Sequence, residues 1–425
     1  METAPSPAGG VRTEKRVTAG LRGASWNPEL LPPGLRTAVH PLPTADGAQV
    51  IGCLHALGGE KTVAFIMHPR ELLISHYLVP YLVKAGVACW VQGPRTVGND
   101  LRLEHETALY DVEAGVTQLR ALGFERIVML GNSGGAGLFA FYNQQSLAAP
   151  EARLERTPGG RPTNLAKAAL PTVDGFVLVA PHPGQGKLLQ AALDPSVLDE
   201  KDPFGADAAL SPFEPANGFK PAEEGGATYA PAFVERYRAA QAERVARIDA
   251  FAREQLKAKQ RASKAVKEGG ATPLQQMQAA YGAIFEVWRT DADLRCFDLK
   301  LDPSERKWGT VWGARPLVSN VGSVGFARVC TPESWLSTWS GLSSNASFEK
   351  CGRAMAQPVL QIEYSGDNTV FPGDAEAIFA TLSSTDKVRT RVRGNHHGQA
   401  LAPDEPLGQD LAAAHIVEWL RARFP

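Results

Sequence analysis

Residues 128–137 read Val128-Met-Leu-Gly-Asn-Ser133-Gly-Gly-Ala-Gly137, a hydroxyl set among four glycines. The apolar run RIVML (126–130) comes directly before the turn, and LFAFYNQQ (138–145), with helical character, directly after it. Glycines on both sides let a strand and a helix approach closely and let the serine take a backbone conformation that is otherwise costly. Gly131-Asn-Ser133-Gly-Gly135 also fits G-x-S-x-G, the spelling of a nucleophile elbow. The flanking strand and helix carry more weight than the spelling, because the bare pattern arises by chance. The alternative is a purely structural turn.

Working outward, strands and helices alternate on both sides. QVIGCLHAL (49–57), TVAFIMH (62–68), VACWVQG (87–93) and GFVLVAP (175–181) read as strands. SHYLVPYLVKAG (75–86) has helical spacing. In 100–123, Leu109, Val112, Val116 and Leu119 mark an amphipathic helix that Gly123 ends. Near-continuous apolar strands alternating with helices predict an α/β architecture, a mostly parallel sheet covered by helices on both faces. The alternation stops over about 184–354 and resumes at PVLQIEYSGD (358–367), KVRTRVRGNHH (387–397) and the closing helix DLAAAHIVEWLRARF (410–424). The expected division is therefore a tail at 1–35, expected to be disordered, a core from 36–183 and 355–425, and an insertion at 184–354.

Within the insertion, Phe233, Tyr237, Gln241, Val245, Ile248 and Ala252 share one face of a long charged helix. A second helix is expected at 273–288. The acidic group Asp194, Asp199, Glu200 and Asp202 reads as caps of turns and short helices.

Bulk properties narrow the function. Forty-four Lys and Arg against 45 Asp and Glu give a net charge of −1, no basis for nucleic-acid binding. No apolar run is long enough to cross a membrane, and the first residues lack an apolar signal core, so a cytoplasmic protein is expected. The five cysteines are scattered, without metal-ligand spacing, and read as buried free thiols. No metal and no cofactor is expected.

A serine hydroxyl needs a base to take its proton and an acid to orient that base. Asp367 lies just past one strand in Ser365-Gly-Asp-Asn-Thr-Val-Phe-Pro372, and His396 and His397 lie just past the next. The chain order Ser, Asp, His suits such an elbow.

On these motifs the chain resembles the α/β-hydrolase superfamily over about 48–183 and 355–425, about half its length. The resemblance implies a serine hydrolase with a large, mainly helical cap inserted after strand 6. It favours His397 as the base, because the histidine of similar proteins usually stands about three residues beyond the glycine ending the last strand; His396 is then a neighbour at the rim. It favours Asp367 as the acid, since the alternative loop, 180–187, has no carboxylate. Gly134 is the expected first oxyanion donor. Similar hydrolases often have His-Gly where this chain has His68-Pro69, and proline has no amide hydrogen, so the second donor falls to the Arg70 amide. His68 and His182 are rim or structural residues first, and substrate contacts second.

Five of the eight tryptophans fall in the later part of the insertion. They read first as glue between insertion and core. As a group, with Trp312, Trp335 and Trp339 foremost, they also suggest an apolar roof for a bulky or hydrophobic group. The resulting expectation is hydrolysis of a small-molecule ester, lactone or thioester through an acyl-enzyme. Amide or C–C cleavage and acyl transfer use the same groups, and a ligand-binding protein without turnover is the reading from another class. The oligomeric state is left open, a homodimer among the options.

Overall fold

The computed structural model describes residues 26–98 and 100–425. Most of the expected tail therefore lies outside the described residues. Its last part does not fit the expectation: Trp26 donates its amide to Ser75 O at 2.6 Å and sets its ring edge-on to His55. Residues 26–35, the described end of the expected tail, thus pack against the core.

Strands β1 (Arg36–Pro43), β2 (Gln49–Ala56), β3 (Thr62–Met67), β4 (Ala88–Gln92), β5 (Arg126–Asn132) and β6 (Gly175–Val179) precede the long connection; β7 (Val359–Tyr364) and β8 (Lys387–Val392) follow it. The eight form one sheet in the order β1-β2-β4-β3-β5-β6-β7-β8. β2 runs antiparallel to both its neighbours, and every other pairing is parallel. β1 was not read from the sequence. Its two prolines, Pro41 and Pro43, argue against a central strand but are tolerated at an edge, where it lies.

Central strand β3 shows why the sheet is sandwiched. Val63, Phe65 and Met67 join one core cluster, with helices α2 (His105–Ala121) and α3 (Gly134–Leu147). Ala64 and Ile66 join the other, with α1 (Val79–Lys84). Both faces of a two-residue repeat are apolar, so both are covered.

Between β6 and β7 lie α4 (Gln185–Ala192), α5 (Pro231–Lys267), α6 (Pro273–Ala280) and much irregular chain. The six residues assigned to one face of α5 are all buried. Helix α6 is half the expected length and buries nothing; the chain turns extended at Tyr281, just before Gly282, a poor helix former. Asp194, Asp199 and Asp202 each accept an amide two residues on, as turn caps do, while Glu200 pairs with Arg244. The last two helices, α7 (Pro372–Thr381) and α8 (Gly408–Arg423), return to the sheet. All five cysteines are free and buried.

Candidate active site

Three strand ends converge on Ser133. The serine follows β5 and opens α3 with φ 52° and ψ −116°, in the left-handed region that non-glycine residues avoid. Neighbouring glycines make this geometry feasible. A β-carbon on Gly131 would lie 2.5 Å from Ala136 Cα, and one on Gly135 would lie 2.3 Å from Met67 O. The Ser133 amide is anchored on Val179 O of β6 at 2.8 Å.

Asp367 stands three residues past β7, 2% exposed. Its Oδ1 accepts the Thr369 and Val370 amides at 2.7 and 2.9 Å, and its Oδ2 lies 2.8 Å from His396 Nδ1. A carboxylate can only accept, so His396 carries its proton on Nδ1 and its Nε2 is left basic. That Nε2 is 3.1 Å from Ser133 Oγ.

His396 therefore occupies the position that the sequence reading gave to His397. The turn after β8 explains the shift of one residue. Asn395 Oδ1 accepts the amides of His397 and Gln399 at 3.0 Å each, and Gly398 takes φ 67°. This side-chain-closed turn brings residue 396 inward only two positions past Gly394, not three. The His397 ring meets that of His396 edge-on at 5.2 Å and lines the same cavity. Asn395 is the sequence signal that would have favoured His396, since Asn side chains close such turns.

The Arg70 amide is not aimed at the serine. It donates to His68 Nδ1 at 3.1 Å, and the Glu71 amide donates to the same nitrogen at 3.2 Å. The Arg70 guanidinium pairs with Asp100 at 2.6 and 2.8 Å and lies over the rings of Trp339 and Phe326. Pro69 is the cause: with no amide at 69, the turn is capped by the histidine before it. Gly134 begins α3, so its amide has no acceptor within the helix.

The nitrogens His68 Nε2, Gln185 Nε2 and His182 Nε2 lie 2.8, 2.9 and 3.2 Å from where a β-carbon on Gly134 would stand. Burial, then the Arg70 charge and His182, hold the His68 imidazole well below the usual histidine range. Burial pulls His182 down to about 3. His68 and His182 thus belong to the site itself, not its rim, and Gln185 is a site residue the sequence reading missed. Its only signal was a position just beyond a strand end.

Ser133 opens into a cavity of about 110 Å³, with these donors on one side and Val311, Trp312 and Phe326 on the other. Trp335 and Trp339 do not reach it. Both are fully buried in a separate cluster with α5, where Trp335 Nε1 donates to Asp249 at 2.7 Å. Of the three tryptophans singled out, only Trp312 roofs the serine, and the cavity is small. Among the described residues no group of three His, Cys, Asp or Glu is placed to hold a metal ion, and no helix is long and apolar enough to cross a membrane.

No family model matches the chain, and neither does any curated protein. Solved structures similar to it include the α/β hydrolase GrgF from Penicillium sp. sh18, at 11% identity and a TM-score of 0.48, covering 92% of this chain and 99% of that one. A soluble variant of monoglyceride lipase from Saccharomyces cerevisiae, bound to a substrate analogue, is similar at 11% identity and a TM-score of 0.45, covering 94% and 98%. The esterase domain of a Rhodothermus marinus protein is similar at 10% and 0.40, covering 91% and 97%. A parallel sheet in the order given, reversed only at β2, with a serine turn after β5 and acid and histidine loops after β7 and β8, is the α/β-hydrolase fold, and this chain has it.

Proposed function

We propose that the protein is a serine hydrolase acting on an ester or thioester with a short acyl group. One observation carries this reading: the continuous hydrogen-bonded line from Asp367 through His396 to Ser133 at a strand-to-helix elbow. Ser133 Oγ attacks the carbonyl carbon while His396 Nε2 takes its proton. The carbonyl oxygen becomes an oxyanion beside the Gly134 amide. On collapse the bond to the leaving group breaks, and His396 returns the proton to that group. Water then attacks the acyl-enzyme, again deprotonated by His396; the acid departs and Ser133 regains its proton. Asp367 stays ionised and holds the imidazole.

Residues 184–354 act as a cap in this reading, with Val311, Trp312 and Phe326 excluding water above the serine. The cavity volume supports a short acyl chain rather than the bulky group suggested by tryptophan count. Pockets for drug-sized ligands run to about 300–1,000 Å³, against about 110 Å³ here.

A fluorophosphonate probe and a series of p-nitrophenyl esters from acetate to octanoate test both parts. Labelling and turnover that vanish in Ser133→Ala, with acetate to butyrate fastest, are expected. A folded native protein inert to the probe and to every ester would sink the proposal.

A further inference from the structure

The oxyanion site as described has one main-chain donor, Gly134, and needs a second. We infer that the second donor is a side chain, the Nε2–H of His68, which takes over the role that a backbone amide cannot fill at Pro69. This rests on the serine-hydrolase reading above.

Hydrogen-bond accounting settles the tautomer. Two main-chain amides, those of Arg70 and Glu71, point at His68 Nδ1, so the ring's lone pair is there and its proton is on Nε2. His182 repeats the arrangement: the Gly184 amide donates to its Nδ1 at 3.2 Å, which leaves Nε2–H. The Gln185 amide nitrogen is a donor by nature. These three N–H groups close around the same face of Gly134, and all three residues line the cavity beside Ser133. Among the described residues none accepts a hydrogen bond from any of them. His182 and Gln185 are 1% and 2% exposed, so the cavity is what these donors address.

A ring of N–H groups with no acceptor suits an oxygen that gains negative charge. It does not suit a second base, because the His68 lone pair is already used by the backbone. The low affinity of both buried imidazoles for a proton keeps them neutral donors at neutral pH. His68, on the loop after β3 that Pro69 deprives of an amide, is the principal donor; His182 and Gln185 flank it.

The test uses the full chain. Nitrogen-15 NMR of the His68 ring should find Nε2 protonated; a proton on Nδ1 would overturn the inference whatever the activity. In kinetics, His68→Phe should lower kcat on p-nitrophenyl acetate by about 10²–10³-fold, with KM within about threefold. Affinity for a boronic acid, whose Ser133 adduct carries the oxyanion charge, should fall in proportion. Affinity for 1-butanol, which fills the cavity but carries no charged oxygen, should not move. His68→Gln, which restores an amide donor, should recover about tenfold of the loss. A His68→Phe enzyme within threefold of native, or one that loses boronate and 1-butanol equally, would overturn the assignment. Both results leave Ser133-dependent turnover intact in the native protein. Native protein without that turnover marks failure of the hydrolase reading instead.

Discussion

At the scale of single residues, the outcome turns on which of two adjacent histidines faces the serine. His396 sits between Asp367 and Ser133, while His397 only walls the cavity. His396→Ala should therefore cut kcat by about 10⁴-fold or more, and His397→Ala by no more than about tenfold, measured on p-nitrophenyl acetate. The reverse order would place the base where the sequence reading first had it. Asp367→Asn should lose activity nearly as heavily as His396→Ala, because an amide side chain can donate to the imidazole and favour the wrong tautomer.

At the scale of elements, the elbow separates two kinds of glycine. A β-carbon on Gly135 meets the β3 backbone at 2.3 Å, and neither strand nor helix can yield cheaply. Gly135→Ala should cost about 2–4 kcal/mol, read as a lower urea midpoint. A β-carbon on Gly134 meets first the side-chain ends of His68, Gln185 and His182. Gly134→Ala should keep most of its stability and lose its turnover. Equal loss of stability in both variants would show that the Gly134 side chains are as rigid as the β3 backbone. Helix α5 offers a separate check. Arg244, wholly buried, holds Glu200, Asp194 O and Trp288 O at 2.5–2.9 Å. Arg244→Ala leaves those acceptors unpaired and should cost about 3–5 kcal/mol in a denaturation series.

At the scale of the whole molecule, the core gathers imidazoles that it keeps uncharged. Burial pulls His76 and His105 down to about 4 and His182 to about 3. In the unfolded chain each titrates near 6.5. As pH falls below that value the unfolded chain takes up protons that the fold refuses, so stability is fullest above about 6.5 and drains away toward about 4. Between pH 7 and pH 5 each histidine removes about 2 kcal/mol. Urea midpoints should drop steeply over that interval, and His105→Asn should flatten the drop. An unchanged midpoint from pH 7 to pH 5 would contradict it.

Local patterns determined much of this protein. The strand–glycine–serine–glycine–helix run at 128–137 specified the elbow, because only small residues permit that approach. Apolar runs bounded by turns specified six of the eight sheet strands, the resumed alternation after the insertion specified β8, and an acid just past a strand end marked Asp367. Tertiary structure alone decided the rest. Which histidine turns inward depends on a turn closed by Asn395, where one residue reverses the direction of a side chain. Which nitrogen of His68 carries a proton depends on amides that Pro69 redirects. The size of the cavity depends on where an insertion's aromatic rings settle. Sequence spacing counts residues along the chain, whereas the first two outcomes are set by which way a side chain points within a tight turn, and the third by rings that a distant insertion brings over the core.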